Sequence, residues 1–446
     1  MNLEQLSPSG DWSGPVDRAQ LEDAIRALEA GREPLRAYTT TQIAERIARV
    51  AAAWLHPDDG TVDALAESAS QTTGYDPALI RWSIVELLRR LSANSLISLV
   101  EAELGDREPF VAPRHRRRQP TAHGAHPPAL LFTVLAGTVP PVAIETISLA
   151  LLCRAPLLLK TSRAEPHVSR YFLRALREVD PVLGDAVAVM TWPGGQDDLE
   201  DLAAQRASFV TIYGSDASVD ALMQRCRFPT RFLGYGHRVS FGILGPPEHG
   251  CGGAAIRRVT DAIALDVAAY DQRGCFSPHC VFVSEQAPWS LQELATTLAT
   301  ESFPHVARSL PRGRLDADVH AAIQQARGVA EFTGEAYPAP DDDALVIVHD
   351  RTAFQPSPGG RTLHLVPYRT QGELIATLEG LRGVVSSVGL HHATPQRTEL
   401  IDALGRLGAR RITRFGRMQR PILQRHHDGR PRMGDWVEWT DVEPLP

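Results

Sequence analysis

The chain has 446 residues, of which 22% are charged and 43% are hydrophobic, and its formal net charge is −7. This composition is typical of a globular protein of about two or three domains, and the negative charge argues against nucleic acid or anionic lipid as a partner. The amino terminus has neither a basic start nor an apolar run, and the most apolar window, 129–159, is interrupted by prolines and charged residues. We therefore expect a cytoplasmic protein without a secretion signal or a membrane span.

Two residue types stand out in the composition. The five cysteines lack the paired spacing of metal-binding motifs, so we expect free thiols in a reducing compartment and no metal. Lys160 is the only lysine among the 46 lysine and arginine residues. Either this is chance, or the position needs a compact ammonium group where a planar guanidinium does not fit.

The first 104 residues are predicted to form an N-terminal helical region. Apolar residues recur at helical spacing over 21–30, 39–55 and 77–104, and Thr39 is a predicted N-cap. A polar, proline-rich interval follows at 105–128 and contains a basic run at 114–118. Such a run is typical of a solvated surface, and the alternative is a docking patch for phosphates or for an acidic partner protein.

Strands and helices alternate from residue 129 onward. This rhythm predicts a parallel sheet covered by helices on both faces, with a ligand crevice at the carboxyl ends of its strands. Glycines, hydroxyls and Lys160 follow those strands and suit a phosphate-bearing ligand, although the usual G-x-G-x-x-G fingerprint is absent. The predicted strands lie at 130–137, 155–160, 186–192 and 207–214, and the helices at 139–154, 165–179, 197–206 and 216–227.

A glycine-rich crossing at 231–242 leads into a second α/β region, predicted over 241–414. The end of the chain, 415–446, is predicted to form an edge hairpin about Asp428–Gly429 that is suited to pairing with another strand. Within the second region we predict helices at 290–301 and 315–332, strands at 344–350 and 362–368, and loops at 335–343 and 355–361.

Cys275 is the candidate nucleophile. A glycine precedes it, a proline follows at 278, and the apolar alternation from Cys280 predicts a strand. A cysteine in such a turn can present its sulfur to a cleft, and the alternative is a small buried hydrophobe, as most free cysteines are. A catalytic thiol needs a base, for which His237 is the candidate and His279 a weaker one. The alternative for His237 is a hinge residue that makes one backbone hydrogen bond. We expect His279 to be structural and Asp271 to be a cap.

Six segments follow one another along the chain: AGTVPP, LLLKTSRAEP, VTIYGSDASV, GYGHRVSFG, DQRGCFSPH and the terminal GRMQRP…DG…W. In this order they resemble the aldehyde dehydrogenase superfamily, and more closely its fatty acyl-CoA reductases of the bacterial bioluminescence type. The resemblance implies two α/β domains with parallel sheets, a cofactor domain at 129–240 and a catalytic domain at 241–414. It also implies an oligomerisation arm from 105–128 and 415–446, and hence a homo-oligomer (dimer or tetramer).

The resemblance also implies roles for individual residues. In such enzymes the catalytic cysteine holds the acyl group as a thioester beside the nicotinamide, and Cys275 has the matching position. Thr138 stands where an asparagine usually helps hold the oxyanion, which leaves more of that task to the backbone NH of Cys275. The implied cofactor contacts are Lys160 at the adenosine ribose, Gly214 and Ser215 under the pyrophosphate, and Ser162, Arg163 and Gly194 nearby.

Two departures from the superfamily pattern bear on the direction of the reaction and on the choice of cofactor. The stretch 235–237 lacks the glutamate that activates water in the oxidising enzymes, which favours reduction of an acyl thioester to an aldehyde. Arg163 replaces a glutamate that favours NAD, which predicts NADPH, unless Arg163 is only a solvated residue. The acyl carrier is coenzyme A or an acyl carrier protein. The alternatives are an aldehyde-oxidising dehydrogenase of the same fold, and a non-redox acyltransferase or acyl-carrier-binding subunit.

Overall fold

The computed structural model of the chain describes residues 16–115, 121–246, 253–333, 335–391 and 397–443. These residues form two compact units. The first contains the described residues up to Thr73, Ser83–Gly236 and those from Ile422 onward, and the second contains Gly74–Trp82 and His237–Pro421. The domain boundaries inferred from the sequence at 104, 128, 240 and 414 stay predictions. Among the described residues, no helix combines the length and the apolar character needed to cross a membrane.

Side-chain caps mark several helix starts. The Thr39 hydroxyl accepts a hydrogen bond from the backbone NH of Gln42, whose side chain accepts one from Thr39 in return. The single helix predicted over 77–104 is wrong, because Ser92 caps a separate second helix. The α-helices are α1 (Arg18–Ala30), α2 (Arg32–Arg36), α3 (Thr40–Trp54), α4 (Thr61–Thr73), α5 (Pro77–Leu88), α6 (Ala93–Leu104), α7 (Val142–Leu152), α8 (His167–Val179), α9 (Pro181–Asp185), α10 (Asp197–Arg206), α11 (Asp216–Met223), α12 (Gly253–Ala268), α13 (Leu291–Thr297), α14 (Phe303–Ala307), α15 (Ala317–Thr333), α16 (Gln371–Leu378) and α17 (Arg397–Leu407).

The strands form three sheets, of which the two larger ones are mainly parallel. The α/β class predicted from the sequence is therefore confirmed. The strands are β1 (Arg114–His115), β2 (Ala122–His126), β3 (Leu131–Val134), β4 (Leu157–Lys160), β5 (Val187–Met190), β6 (Phe209–Tyr213), β7 (Arg231–Tyr235), β8 (Val239–Leu244), β9 (Pro278–Ser284), β10 (Glu335–Pro338), β11 (Leu345–Val348), β12 (Thr362–Tyr368), β13 (Val385–His391), β14 (Arg411–Thr413) and β15 (Glu438–Val442).

The first unit is built on a parallel five-stranded sheet with the order β5-β4-β3-β6-β7. The chain adds β4 and β5 on one side of β3 and then β6 and β7 on the other, so the order reverses between β3 and β6. Phe132 stacks on Trp192 in its core, with ring centroids 6.2 Å apart. Part of the predicted crossing at 231–242 is the edge strand β7, where a Cβ on Gly234 would lie 2.3 Å from a Val219 methyl carbon of α11.

The second unit is built on a seven-stranded sheet with the order β10-β11-β12-β9-β8-β13-β14. Its strands are parallel except β10, which pairs antiparallel with β11 at one edge. The prediction of a loop at 335–343 is therefore wrong for Glu335–Pro338, a short edge strand whose polar, half-exposed residues lack the apolar alternation of a buried strand. Phe241 and Phe282 meet edge to face in the core of this unit.

A small antiparallel sheet with the order β1-β2-β15 joins the end of the chain to the first unit. The turn predicted at Asp428–Gly429 is present and His427 pairs with Arg430 across it, but in the described residues no strands extend this pairing into a hairpin. The terminal strand β15 instead pairs with β2, which lies more than 300 residues earlier in the chain. Residues 116–118 of the predicted basic run lie outside the described residues.

Histidines pair inside the second unit. His364 lies in the middle of β12, its Nδ1 is 2.9 Å from Nε2 of His349, and its side chain is buried. Burial lowers the pKa of His364 to about 3, and the neighbouring His349 acts in the same direction. The imidazole is therefore neutral in the folded protein across the physiological pH range.

We expect this histidine to make the protein sensitive to acid. Its pKa is lower in the folded state than in the unfolded chain, so its contribution to stability is complete above about pH 6.5 and decreases as the pH falls towards 3. The expected loss in the free energy of unfolding between pH 7 and pH 5 is about 2 kcal/mol. Urea denaturation of wild type and His364→Gln should show this loss only in the wild type. His320→Gln, at an exposed position of α15, is the control, and an equal pH slope in all three proteins would contradict the prediction.

Candidate functional site

The carboxyl edge of the first sheet places several predicted cofactor residues around the reversal of strand order. Gly137 and Thr138 follow β3, and Gly214 and Ser215 follow β6, on the two sides of that reversal. The backbone NH of Gly214 donates to the carbonyl of Tyr235, 3.1 Å away. The Ser215 hydroxyl accepts from the backbone NH of Ser218 and thereby caps α11. In parallel sheets, such a reversal opens a crevice in which ligands bind.

Lys160 is the last residue of β4 and is buried. Its Nζ lies 5.4 Å from the ring centroid of Trp192. Burial lowers the pKa of this amine, the Glu200 carboxylate opposes that effect, and the nearby Arg163 reinforces it. A buried ammonium beneath an aromatic ring at the ligand edge is consistent with the role that the resemblance implies, and it accounts for the one lysine in a chain that otherwise uses arginine.

The turn after β4 carries Ser162 and Arg163. The Ser162 hydroxyl accepts from the backbone NH of Ala164, 3.1 Å away, and the Arg163 side chain is exposed. Gly137 has a φ of +83°, and a Cβ there would lie 2.8 Å from the Cβ of Ser162, so a side chain would separate the two loops. Gly194 lies apart from this close contact, in the exposed loop after β5.

Cys275 lies in the second unit, exposed, in the turn that precedes β9. The Ser240 hydroxyl donates to its carbonyl oxygen over 2.7 Å and accepts from the backbone NH of Ser387 over 3.1 Å. By contrast, Cys280 is fully buried within β9, and burial raises the pKa of its thiol to about 12. Of these two thiols, only that of Cys275 is accessible to a substrate.

The strand register brings His237 to the same edge of the sheet as Cys275. Ser240 of β8 is the register partner of Pro278 of β9, and the two strands are parallel and adjacent. His237 and Cys275 each lie three residues before these partners, and both side chains are exposed. Thr138 and the predicted cofactor residues belong to the first unit, whereas Cys275 and His237 belong to the second.

Two residues that sequence analysis missed hold the cysteine turn from the side of the terminal segment. The Gln419 amide donates to the Ser277 hydroxyl over 3.0 Å and to the carbonyl of Asp266 over 3.1 Å. The Asp266 carboxylate in turn accepts from the backbone NH groups of Gly416 and Met418. Gln419 lies inside the GRMQRP segment, one of the six that carry the family resemblance, and could have been found from it. Nothing in the sequence pointed to Asp266, a buried acid whose pKa burial raises to about 7.

A buried ion pair fixes the backbone just before the turn. Tyr270, Asp271 and Gln272 have φ angles of 57°, 47° and 64°, a left-handed conformation that costs free energy at each non-glycine residue. Arg361 Nε donates to Asp271 over 2.9 Å, and both side chains are fully buried. Gly313 NH donates to the other carboxylate oxygen over 3.1 Å. Asp271 is thus an anchor rather than the cap predicted for it.

Further hydrogen bonds of the same region explain the remaining polar residues. The Gln272 amide donates to the carbonyls of Pro278 and Thr362 over 2.8 and 2.7 Å. His279 Nδ1 accepts from the backbone NH of Ser357 over 2.9 Å, and its expected structural role stays a prediction. Within the described ranges, no group of three or more His, Cys, Asp or Glu side chains is arranged to hold a metal ion.

The geometry of the second unit is suited to covalent catalysis by a thiol. An exposed sulfur stands on a turn whose backbone is fixed by Ser240, Gln419 and the Asp271–Arg361 pair. A nucleophile held in this way can attack a carbonyl carbon without first being ordered.

Comparisons with known proteins agree with this geometry. Residues 35–439 match the model of the family described as acyl-CoA reductase (LuxC). A long-chain acyl-protein thioester reductase of Aliivibrio fischeri is 25% identical over 297 residues, which are 66% of this chain and 59% of the relative. One of the same name from Vibrio harveyi is 23% identical over 61% of this chain and 56% of its own length. The chain thus aligns with less than two thirds of either relative.

Solved structures resemble the chain over nearly its whole length. An NAD-dependent aldehyde dehydrogenase from Sinorhizobium meliloti has a TM-score of 0.70 at 15% identity, with 97% of this chain and 89% of that chain covered. Aldehyde dehydrogenase C from Pseudomonas syringae has a TM-score of 0.70 at 14% identity, with 97% and 95% covered. The predicted aldehyde dehydrogenase-like fold is therefore confirmed.

We expect the buried ion pair to be essential for stability. Arg361→Met should lower the free energy of unfolding by about 3–5 kcal/mol, because the Asp271 carboxylate would stay buried without its partner. Asp271→Asn combined with Arg361→Met should recover part of this loss, since asparagine tolerates the left-handed backbone and carries no charge.

Chemical denaturation measures these differences. Arg369→Met is the control, because it removes an exposed pair with Glu285 and should cost less than about 1 kcal/mol. If the single and double variants at 271 and 361 were equally unstable, the ion pair would not be what fixes the turn.

Proposed function

The chain belongs to the acyl-CoA reductase (LuxC) family, and on that premise we propose that it reduces an acyl thioester to an aldehyde with NADPH. The observation that carries this proposal is the exposed Cys275 on a turn held by buried hydrogen bonds and an ion pair. An acyl group would be held on this cysteine as a thioester. The name of the relatives, long-chain acyl-protein thioester reductase, supports a long acyl chain as substrate.

The proposed reaction begins at the Cys275 sulfur. His237 takes the thiol proton, the thiolate attacks the carbonyl carbon of the donor thioester, and the carrier leaves as a thiol with the proton that His237 took. A bound reduced nicotinamide would supply a hydride to the carbonyl carbon of the enzyme thioester, which becomes a hemithioacetal oxyanion. Breaking the carbon–sulfur bond of this oxyanion then releases the aldehyde and regenerates the Cys275 thiolate. The backbone NH of Cys275 is the proposed donor to the oxyanion, and Thr138 is a further proposed donor.

The absence of a carboxylate at 235–237 supports reduction rather than oxidation. Tyr235 is buried and stacks on Tyr213, with ring centroids 4.8 Å apart, and burial raises the pKa of its hydroxyl. Tyr235 and Gly236 therefore offer no base towards water near pH 7, and the remaining residue of the stretch, His237, is assigned to the thiol proton in the proposed reaction. An enzyme thioester would then persist until it is reduced rather than be hydrolysed.

The carboxyl edge of the first sheet fits a dinucleotide cofactor. Buried Lys160 and the turn with Ser162 and Arg163 would hold the adenosine ribose and its 2′-phosphate. Gly194, Gly214 and Ser215 would lie beside the pyrophosphate, near the amino end of α11. The Pseudomonas syringae structure contains NAD+ and octanal, which supports a nicotinamide cofactor and an aliphatic aldehyde for this fold.

The small three-stranded sheet supports a homo-oligomer. The edge strand β15 has exposed residues, including Trp439, and its outer edge offers backbone groups for pairing with a second copy of the chain. We propose a cytoplasmic dimer or tetramer, with coenzyme A or an acyl carrier protein as the acyl donor.

Removal of the thiol tests the proposed function directly. Cys275→Ala should abolish both the acyl adduct, measured by intact mass after incubation with acyl thioesters, and aldehyde formation. Binding of the nicotinamide cofactor, measured by fluorescence, should not change. Cys280→Ala is the matched control, because its thiol is buried in β9 and should be dispensable. Turnover in the Cys275→Ala variant would disprove the proposal.

The choice of cofactor tests the role of Arg163. A charge-assisted hydrogen bond to the 2′-phosphate is worth roughly 1.5–3 kcal/mol, which corresponds to a preference for NADPH over NADH of about 10- to 100-fold in kcat/KM. Arg163→Ala should remove most of that preference, whereas Arg174→Ala, at an exposed position of α8, should retain it. Equal kcat/KM values with both cofactors in the wild type would show that Arg163 does not bind the phosphate.

A further inference from the structure

A cavity of about 660 Å³ lies in the second unit beside the segment Arg414–Arg420. This volume is within the range of sites that bind small molecules. One wall is apolar and is formed by Trp82, Leu265, Val306 and Phe415. The cavity is not used by any step of the reaction proposed above.

The other wall carries arginines at every third position. Arg414, Arg417 and Arg420 all line the cavity, while Phe415 and Met418 between them are buried. The buried side chains of Phe415 and Met418 hold the segment in place, and the guanidinium groups of the arginines remain at the cavity. Arg420 lies over the ring of Trp82, 5.4 Å from its centroid, and so joins the basic wall to the apolar one.

The charge at the cavity is positive. The acidic lining residue Asp261 is already paired with Arg257, over 3.2 Å. The side chains of Arg414 and Arg417 are exposed, and neither guanidinium group forms a hydrogen bond or ion pair within the described part of the chain. A guanidinium group without a carboxylate partner, next to an apolar surface, suits a ligand that has both a phosphate and an uncharged part.

The arginine segment is also attached to the cysteine turn. Asp266 accepts from the backbone of Gly416 and Met418, and Gln419 donates to Ser277. Arg411 lies over the ring of Phe276, the residue next to Cys275, at 5.1 Å. The wall of the cavity and the nucleophile are therefore held by the same buried contacts.

We propose that this cavity binds the phosphopantetheine arm of the acyl donor, with Arg414 and Arg417 on its phosphate and the apolar wall against its uncharged part. The proposal rests on the proposed function, because only a thioester donor brings such an arm to Cys275. An aldehyde substrate has no negative charge and would gain nothing from these arginines. Coenzyme A and an acyl carrier protein present the same arm, so both are possible sources.

The test compares thioesters that carry the same acyl chain. The wild type should use acyl-phosphopantetheine with a kcat/KM about 10- to 100-fold higher than acyl-pantetheine, mainly through a lower KM. In Arg414→Gln combined with Arg417→Gln this ratio should fall to about 1–2, while the use of acyl-pantetheine is retained. Arg410→Gln, an exposed arginine of the same unit outside the cavity, should keep the wild-type ratio. Equal use of the two thioesters by the wild type would overturn the proposal.

Two further measurements complete the experiment. If acyl-coenzyme A or the acylated carrier protein exceeds acyl-phosphopantetheine, the proposal stands and the better donor is the source of the arm. Calorimetry with Cys275→Ala measures binding of both small thioesters without turnover. If Cys275→Ala binds acyl-phosphopantetheine more tightly than acyl-pantetheine, and Arg414→Gln with Arg417→Gln removes this difference, the cavity is the binding site even if no thioester is reduced. Failure of reduction would then count only against the proposed function, and equal binding would count against the cavity.

Discussion

The cysteine turn depends on one buried electrostatic contact, between Asp271 and Arg361. Three consecutive residues before the turn hold a left-handed backbone that is unfavourable for each of them. The chain adopts it because the alternative would bury the Asp271 carboxylate away from the guanidinium group of Arg361, which also pairs with Asp343. The position of the Cys275 turn is thus determined by groups that have no part in the proposed reaction. Ser240 and Gln419 then complete the support from two other segments.

The two larger sheets are used in different ways. In the first unit, the residues proposed to bind the cofactor lie at the carboxyl edge, where the strand order reverses between β3 and β6. In the second unit, Cys275 and His237 lie just before the amino ends of β9 and β8. Parallel strands make both arrangements possible, because their amino ends all lie at one edge of the sheet and their carboxyl ends all lie at the other. Loops at either edge can therefore bring together residues that are distant in the sequence.

Periodicity and turn residues were sufficient to predict most of the α/β fold, since they reflect local preferences of the chain. The split of 77–104 into two helices depends on the local cap at Ser92, which the apolar periodicity concealed. Long-range pairing was harder to predict. Asp271 and Arg361 are 90 residues apart, and β15 pairs with β2 rather than within a hairpin. Cys275 could be singled out because a turn, a proline and a strand follow one another there, whereas Asp266 has no such signal.

Residues from Ile422 onward belong to the first unit, and this has a consequence for biosynthesis. Arg425 and Arg432 pair with the Glu145 carboxylate of α7 and, although burial opposes them, lower its pKa. These arginines and β15 leave the ribosome after the whole second unit has been made. The five-stranded sheet of the first unit is translated first, whereas β15 of the small sheet and the two counter-charges of Glu145 are made only after the second unit. Until then Glu145 lacks its partners, so the earlier-made half of the protein is the later one to mature.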